Sequence, residues 1–158
     1  MDTHHLADLR ALLDSQRFAV LATRQDSGQP YASLVAFWAS ADLQYLAFCT
    51  LRATRKYANL SADGRVALLI DSRENQETDL HEAAAVTILG DCVEIRGDAR
   101  EEVAGRFLAR HPAMEGFVHS PGCAVMRVAV RTFLLVTRFQ NVVELHPEVA
   151  GDVDPTAR

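Results

Sequence analysis

The chain has 158 residues, 49% of them hydrophobic and 23% charged, the profile of one globular domain with a core of its own. A net charge of −5 argues against a general nucleic-acid binder, which needs a broad basic face. No apolar run reaches the roughly eighteen residues of a membrane span, "MDTHHLADLR" lacks the basic and apolar regions of a signal peptide, and a cytoplasmic protein is expected.

Residues 3–16 put Leu6, Leu9, Leu12 and Leu13 at helical spacing, with Thr3 or Asp2 as cap. The period then shortens. "RFAVLAT" is a short apolar strand ending in "RQDSGQP", a turn signal built on Asp26, Gly28 and Pro30. In "YASLVAFWA", Tyr31, Ser33, Val35 and Phe37 face one way and Ala32, Leu34, Ala36 and Trp38 the other. "SAD" turns the chain and "LQYLAFC" is a third strand, so the first three form an antiparallel meander. A helix is expected over 52–61, stopped by "SADG", with "RVALLID" as the fourth strand and "SRENQETD" as an exposed loop. "AAAVTILGDCVEI" is a long strand bent or bulged near Gly90. "DAREEVAGRFLARHP" is helical, with Asp98 as cap and Pro112 as stop. "AMEGFVHS" is a short helical turn, "CAVMRVAVRTFLLVT" a long strand and "FQNVVELH" one more. The result is a mainly β fold of six to seven antiparallel strands with short helices, closed or nearly closed into a barrel because closure removes strand edges. One domain over 1–150 and a flexible tail over 151–158 are expected.

Little here suggests a metal: Cys49, Cys92 and Cys123 form no CxxC, and the six histidines form no HxH or HExxH. There is no GxGxxG and no P-loop. The chemistry points instead to "TLRATRK". Lys56 is the one lysine among sixteen basic residues, and it stands with Thr50, Arg52, Thr54 and Arg55 where a strand gives way to a helix. A helix start offers unpaired N–H groups and a partial positive charge. Hydroxyls and cations added there suit a phosphomonoester. Basic residues on an exposed helix are also commonly just solvated, and Cys49 beside them reads as a small core residue rather than a nucleophile.

Taken in order, "LAT", "DSGQPYASLV", "FCTLRATRK", "NL" and "RVALL" between Phe18 and Asp71 resemble the pyridoxamine 5'-phosphate oxidase-like, FMN-binding split-barrel superfamily, and "VTILGDCVEI" and "FLARHP" resemble its later strand and helix. The resemblance implies a Greek-key split barrel that binds FMN. It places Ser33, Leu34 and Val35 along the flavin, with Ser33 where the oxidase has a phosphate-binding Arg. Phe48, Cys49 and Thr50 would run past the isoalloxazine and ribityl chain, and Thr54, Arg55 and Lys56 would hold the phosphate. It also implies a homodimer with the flavin in the interface.

Departures from the oxidase are clear. Ala84 and Ala85 stand where it has an Arg-Gln pair, and "VVELHPEVAG" lacks its Arg-x-His substrate motif. The vitamin B6 reaction is therefore not expected. The expected function is a flavin-dependent oxidoreductase acting on an unidentified small molecule, with no metal and no side chain that stands out as general acid or base; His81 is the best candidate to enter a neighbouring pocket, though a histidine at a strand end is more often simply on the surface. The alternative is a non-catalytic flavin- or haem-binding module for haem utilisation, storage or sensing, for which His111, His119 and His146 are the histidines to consider. A deazaflavin is a third possible ligand.

Overall fold

The computed structural model describes residues 3–138 and 141–148. One sheet dominates it, built from β1 (Phe18–Arg24), β2 (Pro30–Ala36), β3 (Trp38–Ala39), β4 (Tyr45–Leu51), β5 (Arg65–Asp71), β6 (Ala85–Ile95), β7 (Cys123–Thr137) and β8 (Asn141–Leu145). Every ladder is antiparallel, and the order is β2-β1-β5-β6-β7-β4-β3, with β8 added on β7. The two ends of that order, β2 and β3, are one extended stretch broken only at Phe37. A sheet whose outermost strands are consecutive pieces of chain has to curl onto itself. Counting that stretch once leaves six strands in the wall and β8 as a seventh, the expected antiparallel split barrel.

Alternation sorts the side chains. Leu21, Leu68, Ile88 and Phe133 form one inward row across β1, β5, β6 and β7, each at most 1% exposed. Burying such a side chain contributes roughly 1.5–3 kcal/mol. On β2, Tyr31, Ser33, Val35 and then Phe37 turn inward while Ala32 and Leu34 turn outward, as the period-two pattern predicts. Helix α1 (Thr3–Ser15) adds Leu9, Leu12 and Leu13 to this core, and α2 (Arg55–Ala62) adds Leu60 with Tyr57 packed against it.

Helix α3 (Asp79–Glu82) interrupts the polar segment after β5, and His81 lies in it. Helices α4 (Gly97–Arg110) and α5 (Glu115–Val118) lie outside the barrel, where Val103, Phe107 and Val118 pack on Cys49, Ile95 and Val125 in a second core. Pro112 follows α4 and opens a 3-10 turn, Pro112–Met114. Asp98 is not the cap of α4. That position is Arg96, without a side-chain bond, and Gly97 enters the helix at φ +64. The expected bulge is at Gly90, where the β6–β7 register shifts; a Cβ there would strike the Ala129 carbonyl oxygen. Asp2, one of the two candidate caps of α1, and residues 149–158, which include the expected tail, lie outside the described residues.

Candidate functional site

The barrel has a seam. β2 pairs with β1 alone, and β4 pairs with β3 only through Leu46 and Ala47. The rest of β4, from Phe48 to Leu51, pairs with β7 on one side only, and β4 and β2 come near each other with no ladder between them. Two strand edges therefore meet with backbone groups unspent on each other, and α2 begins where β4 ends. All nine residues expected at a ligand site lie on these three elements: Ser33, Leu34 and Val35 on β2, Phe48, Cys49 and Thr50 on β4, and Thr54, Arg55 and Lys56 at the start of α2.

Their side chains do not all share one surface. Leu34 faces out and is 64% exposed, while Val35 and Phe48 are in the barrel core. Ser33 Oγ is buried and has no hydrogen-bond partner among the described residues. Cys49 lies under α4, where burial and the neighbouring Cys123 push its thiol up to about 12. Cys92, inside the barrel, is pushed up to about 12 by burial alone. Neither is a thiolate at neutral pH, so neither is a nucleophile.

The turn into α2 is tightly tied. Thr54 caps the helix: its Oγ1 accepts from Tyr57 N–H at 3.3 Å and donates to the Leu51 carbonyl at 2.9 Å. Thr50 Oγ1 lies 3.0 Å from Thr54 Oγ1. This cap sets the helix start at Arg55, three residues later than the sequence pattern suggests.

Three cations surround the turn, and their fates differ. Arg52 is committed: its Nε donates to Glu94 Oε1 at 2.9 Å and its Nη1 to the Pro121 carbonyl at 3.3 Å. Arg55 meets no carboxylate among the described residues; Nη1 donates to Gln25 Oε1 at 3.3 Å. Lys56 is half-buried and makes no ion pair among the described residues. It shares a helix face with Asn59 and Leu60, whereas Thr54 and Arg55 line a groove of about 550 Å³ against Gln25, Asp26 and Ser27 of the β1–β2 turn. The Thr54 hydroxyl is spent on the cap, so what the helix start offers an anion is its backbone N–H groups and two cations on different sides of the helix, Arg55 on the groove side being the one that meets Thr54.

Two features escape the sequence reading. Glu94 projects inward on the row Phe48–Met126–Glu94 and joins Arg52 to Tyr57, whose hydroxyl donates to Oε1 at 3.0 Å. Its signal is an acidic residue at an inward position of an alternating strand. The long-range pairing of His111, the residue that closes α4, is the other. The histidine is buried, and its Nε2 lies 2.7 Å from the Phe37 carbonyl oxygen, pairing the group freed where β2 breaks from β3. A larger cavity, about 690 Å³ and lined by His4, His5, Asp8, Glu82 and Arg138, lies away from the seam. Among the described residues no cluster of His, Cys, Asp and Glu could hold a metal ion, and no helix is long and apolar enough to cross a membrane.

The family described as pyridoxamine 5'-phosphate oxidase matches residues 6–137. No curated protein matches the sequence. Among solved structures, the chain is similar to a haem-binding protein from Mycobacterium smegmatis, with 21% identity and TM-score 0.78, over 88% of this chain and 56% of that one. It is similar to HutZ, the haem storage protein from Vibrio cholerae, with 15% identity and TM-score 0.72, over 84% of this chain and 93% of that one. A FAD-binding protein from Mesorhizobium loti has 16% identity and TM-score 0.67, over 82% of this chain and 90% of that one. The chain thus spans little more than half of the Mycobacterium smegmatis protein.

Proposed function

The chain belongs to the pyridoxamine 5'-phosphate oxidase family, and from that premise we propose that it binds FMN between two copies of itself and acts as a cytoplasmic, flavin-dependent oxidoreductase on a small molecule. The observation that carries this reading is the capped start of α2, where Arg55 and Lys56 meet no carboxylate among the described residues in a chain of net charge −5. Thr54, Arg55 and Lys56 would hold the phosphate, and the β2 and β4 edges would present backbone groups to the rest of the ligand. When bound, FMN supplies the hydride or electron chemistry. The chain's residues bind, orient and exclude water. Family membership does not bring the oxidase's own substrate with it, since Ala84 and Ala85 and the segment after β7 lack the residues that would grip pyridoxal phosphate.

The second reading, a non-catalytic flavin- or haem-binding module, draws support from the two neighbours described as haem-binding and haem storage proteins. Haem needs an axial ligand. His111 is engaged with the Phe37 carbonyl and His146 with the Arg131 carbonyl and Glu144, which leaves the exposed His119 as the candidate for that task. The visible spectrum of purified protein separates the readings: two bands for a flavin, a Soret band for haem. If no chromophore copurifies, quenching of added FMN tests the first reading, and a protein that binds haem but leaves FMN fluorescence untouched overturns it.

A further inference from the structure

Among the described residues, Glu94 is the acidic side chain that pairs with the turn from the barrel side, and it is 10% exposed. Oε1 accepts from Arg52 Nε, before the turn, and from Tyr57 Oη, after it. Arg96 closes on Oε2 as an ion pair. The two residues it grips flank Ala53, Thr54, Arg55 and Lys56, the segment that carries the phosphate donors. Resting on the FMN reading, we propose that Glu94 is the positioning residue of the phosphate turn, locking α2's first turn to β6 so that the helix start and the cations on it are held in fixed places.

Charge and position make opposite forecasts. A carboxylate near a phosphate repels it, and removing Glu94 also releases Arg52 and Arg96 from their shared partner; if charge alone mattered, any neutral replacement would tighten FMN. If position matters, losing the acceptor loosens the turn and weakens FMN. Glu94→Leu removes the acceptor and places an apolar side chain beside Phe48 and Met126, while Arg52, on the barrel rim, can turn to water. Glu94→Gln keeps an acceptor oxygen and removes only the charge.

Wild type and both variants are titrated with FMN and with riboflavin by flavin fluorescence. The expected result is about tenfold weaker FMN binding for Glu94→Leu, a smaller loss for Glu94→Gln, and riboflavin changed less than about twofold, the scale of coupling inside one hydrogen-bond network. Unchanged or tighter FMN binding in Glu94→Leu overturns the proposal, as does an equal loss for both ligands, which would make Glu94 a support of the fold. Amide hydrogen exchange without flavin gives an independent readout: Glu94→Leu should speed exchange over 52–57 and leave β5 and β6 unchanged, and unchanged or uniformly faster exchange refutes the lock. Should wild type bind neither flavin, the FMN reading falls alone and exchange still decides for Glu94. If Glu94→Leu does not fold, Tyr57→Phe, which removes one of the two donors to Oε1, should move both readouts the same way by less, and no change in either refutes the proposal.

Discussion

At the scale of single residues, the turn into α2 separates cations that bind the fold from cations left for a ligand. Arg52 is bound to Glu94 and to the Pro121 carbonyl. Lys56 has no such partner among the described residues and sits half-buried, where a charge-assisted bond to phosphate contributes roughly 1.5–3 kcal/mol. Lys56→Ala should therefore weaken FMN by about ten- to a hundredfold and leave riboflavin, which lacks the phosphate, almost unchanged. Equal losses for the two ligands would make Lys56 a support of the helix instead. Ser33 calls for a different test. A buried hydroxyl without a partner costs about 1–3 kcal/mol, and Ser33 Oγ is in that position. Ser33→Ala should raise the melting temperature of flavin-free protein by several degrees, at about 2–4 °C per kcal/mol for a domain of this size. A lowered melting temperature would mean that the hydroxyl has a partner after all.

At the scale of elements, the same network carries a pH dependence. Burial raises the Glu94 carboxyl, but Arg52, Tyr57 and Arg96 outweigh it and hold the group below its ordinary value of 4.5. Its folded pKa is depressed, so its contribution is complete above the ordinary carboxyl range and fades as pH falls through the lowered value. Melting curves from neutral pH into acid should show wild type losing stability below about pH 4, with a smaller acid loss in Glu94→Gln; parallel curves would exclude Glu94 as a source. At β6, Gly90→Ala should destabilise strongly, because the new Cβ meets the Ala129 backbone and not a flexible side chain. A normal melting temperature would show that the bulge can slide. How much of this is legible in the sequence follows the range of the cause. The alternation from Tyr31 to Phe37 and the bulge at Gly90 are local signals, and they read directly. The break at Phe37 depends on His111, far along the chain, and Arg52 is claimed by Glu94 across the barrel end. Period and spacing carry no trace of such pairings. Asp98 reads as a cap because Asp is a good one, but a glycine in the left-handed region already turns the chain into α4.

At the scale of the whole molecule, the barrel's outer surface is covered unevenly. Over β4 and β7 it lies under α4 and α5. Over β2, β1 and β5 no helix of the described residues packs on that face, and the row Leu34–Val20–Leu69 crosses those strands with Ala32, Ala22 and Ala67 beside it. Leu34 is 64% exposed, Leu69 38% and nearby Phe18 57%. Small and apolar residues on a broad sheet face, next to the unpaired edge of β2, suit close approach by another flat surface, and contiguous apolar patches of this kind are rare on soluble monomers. A second copy related by a twofold axis is the simplest cover. Because β2 carries both this face and one edge of the seam, dimerisation would wall the flavin site, and the two equilibria would be linked. Sedimentation at micromolar concentration should give a dimer of the 17.4 kDa chain, and dilution should release FMN as the dimer parts. Leu34→Glu, which puts a charge at the centre of the row, should yield monomer and weaken FMN together. A monomer that keeps its FMN, in wild type or in Leu34→Glu, would refute both the interface and the shared site, because nothing in a single barrel's exposed face would then be needed to hold the ligand.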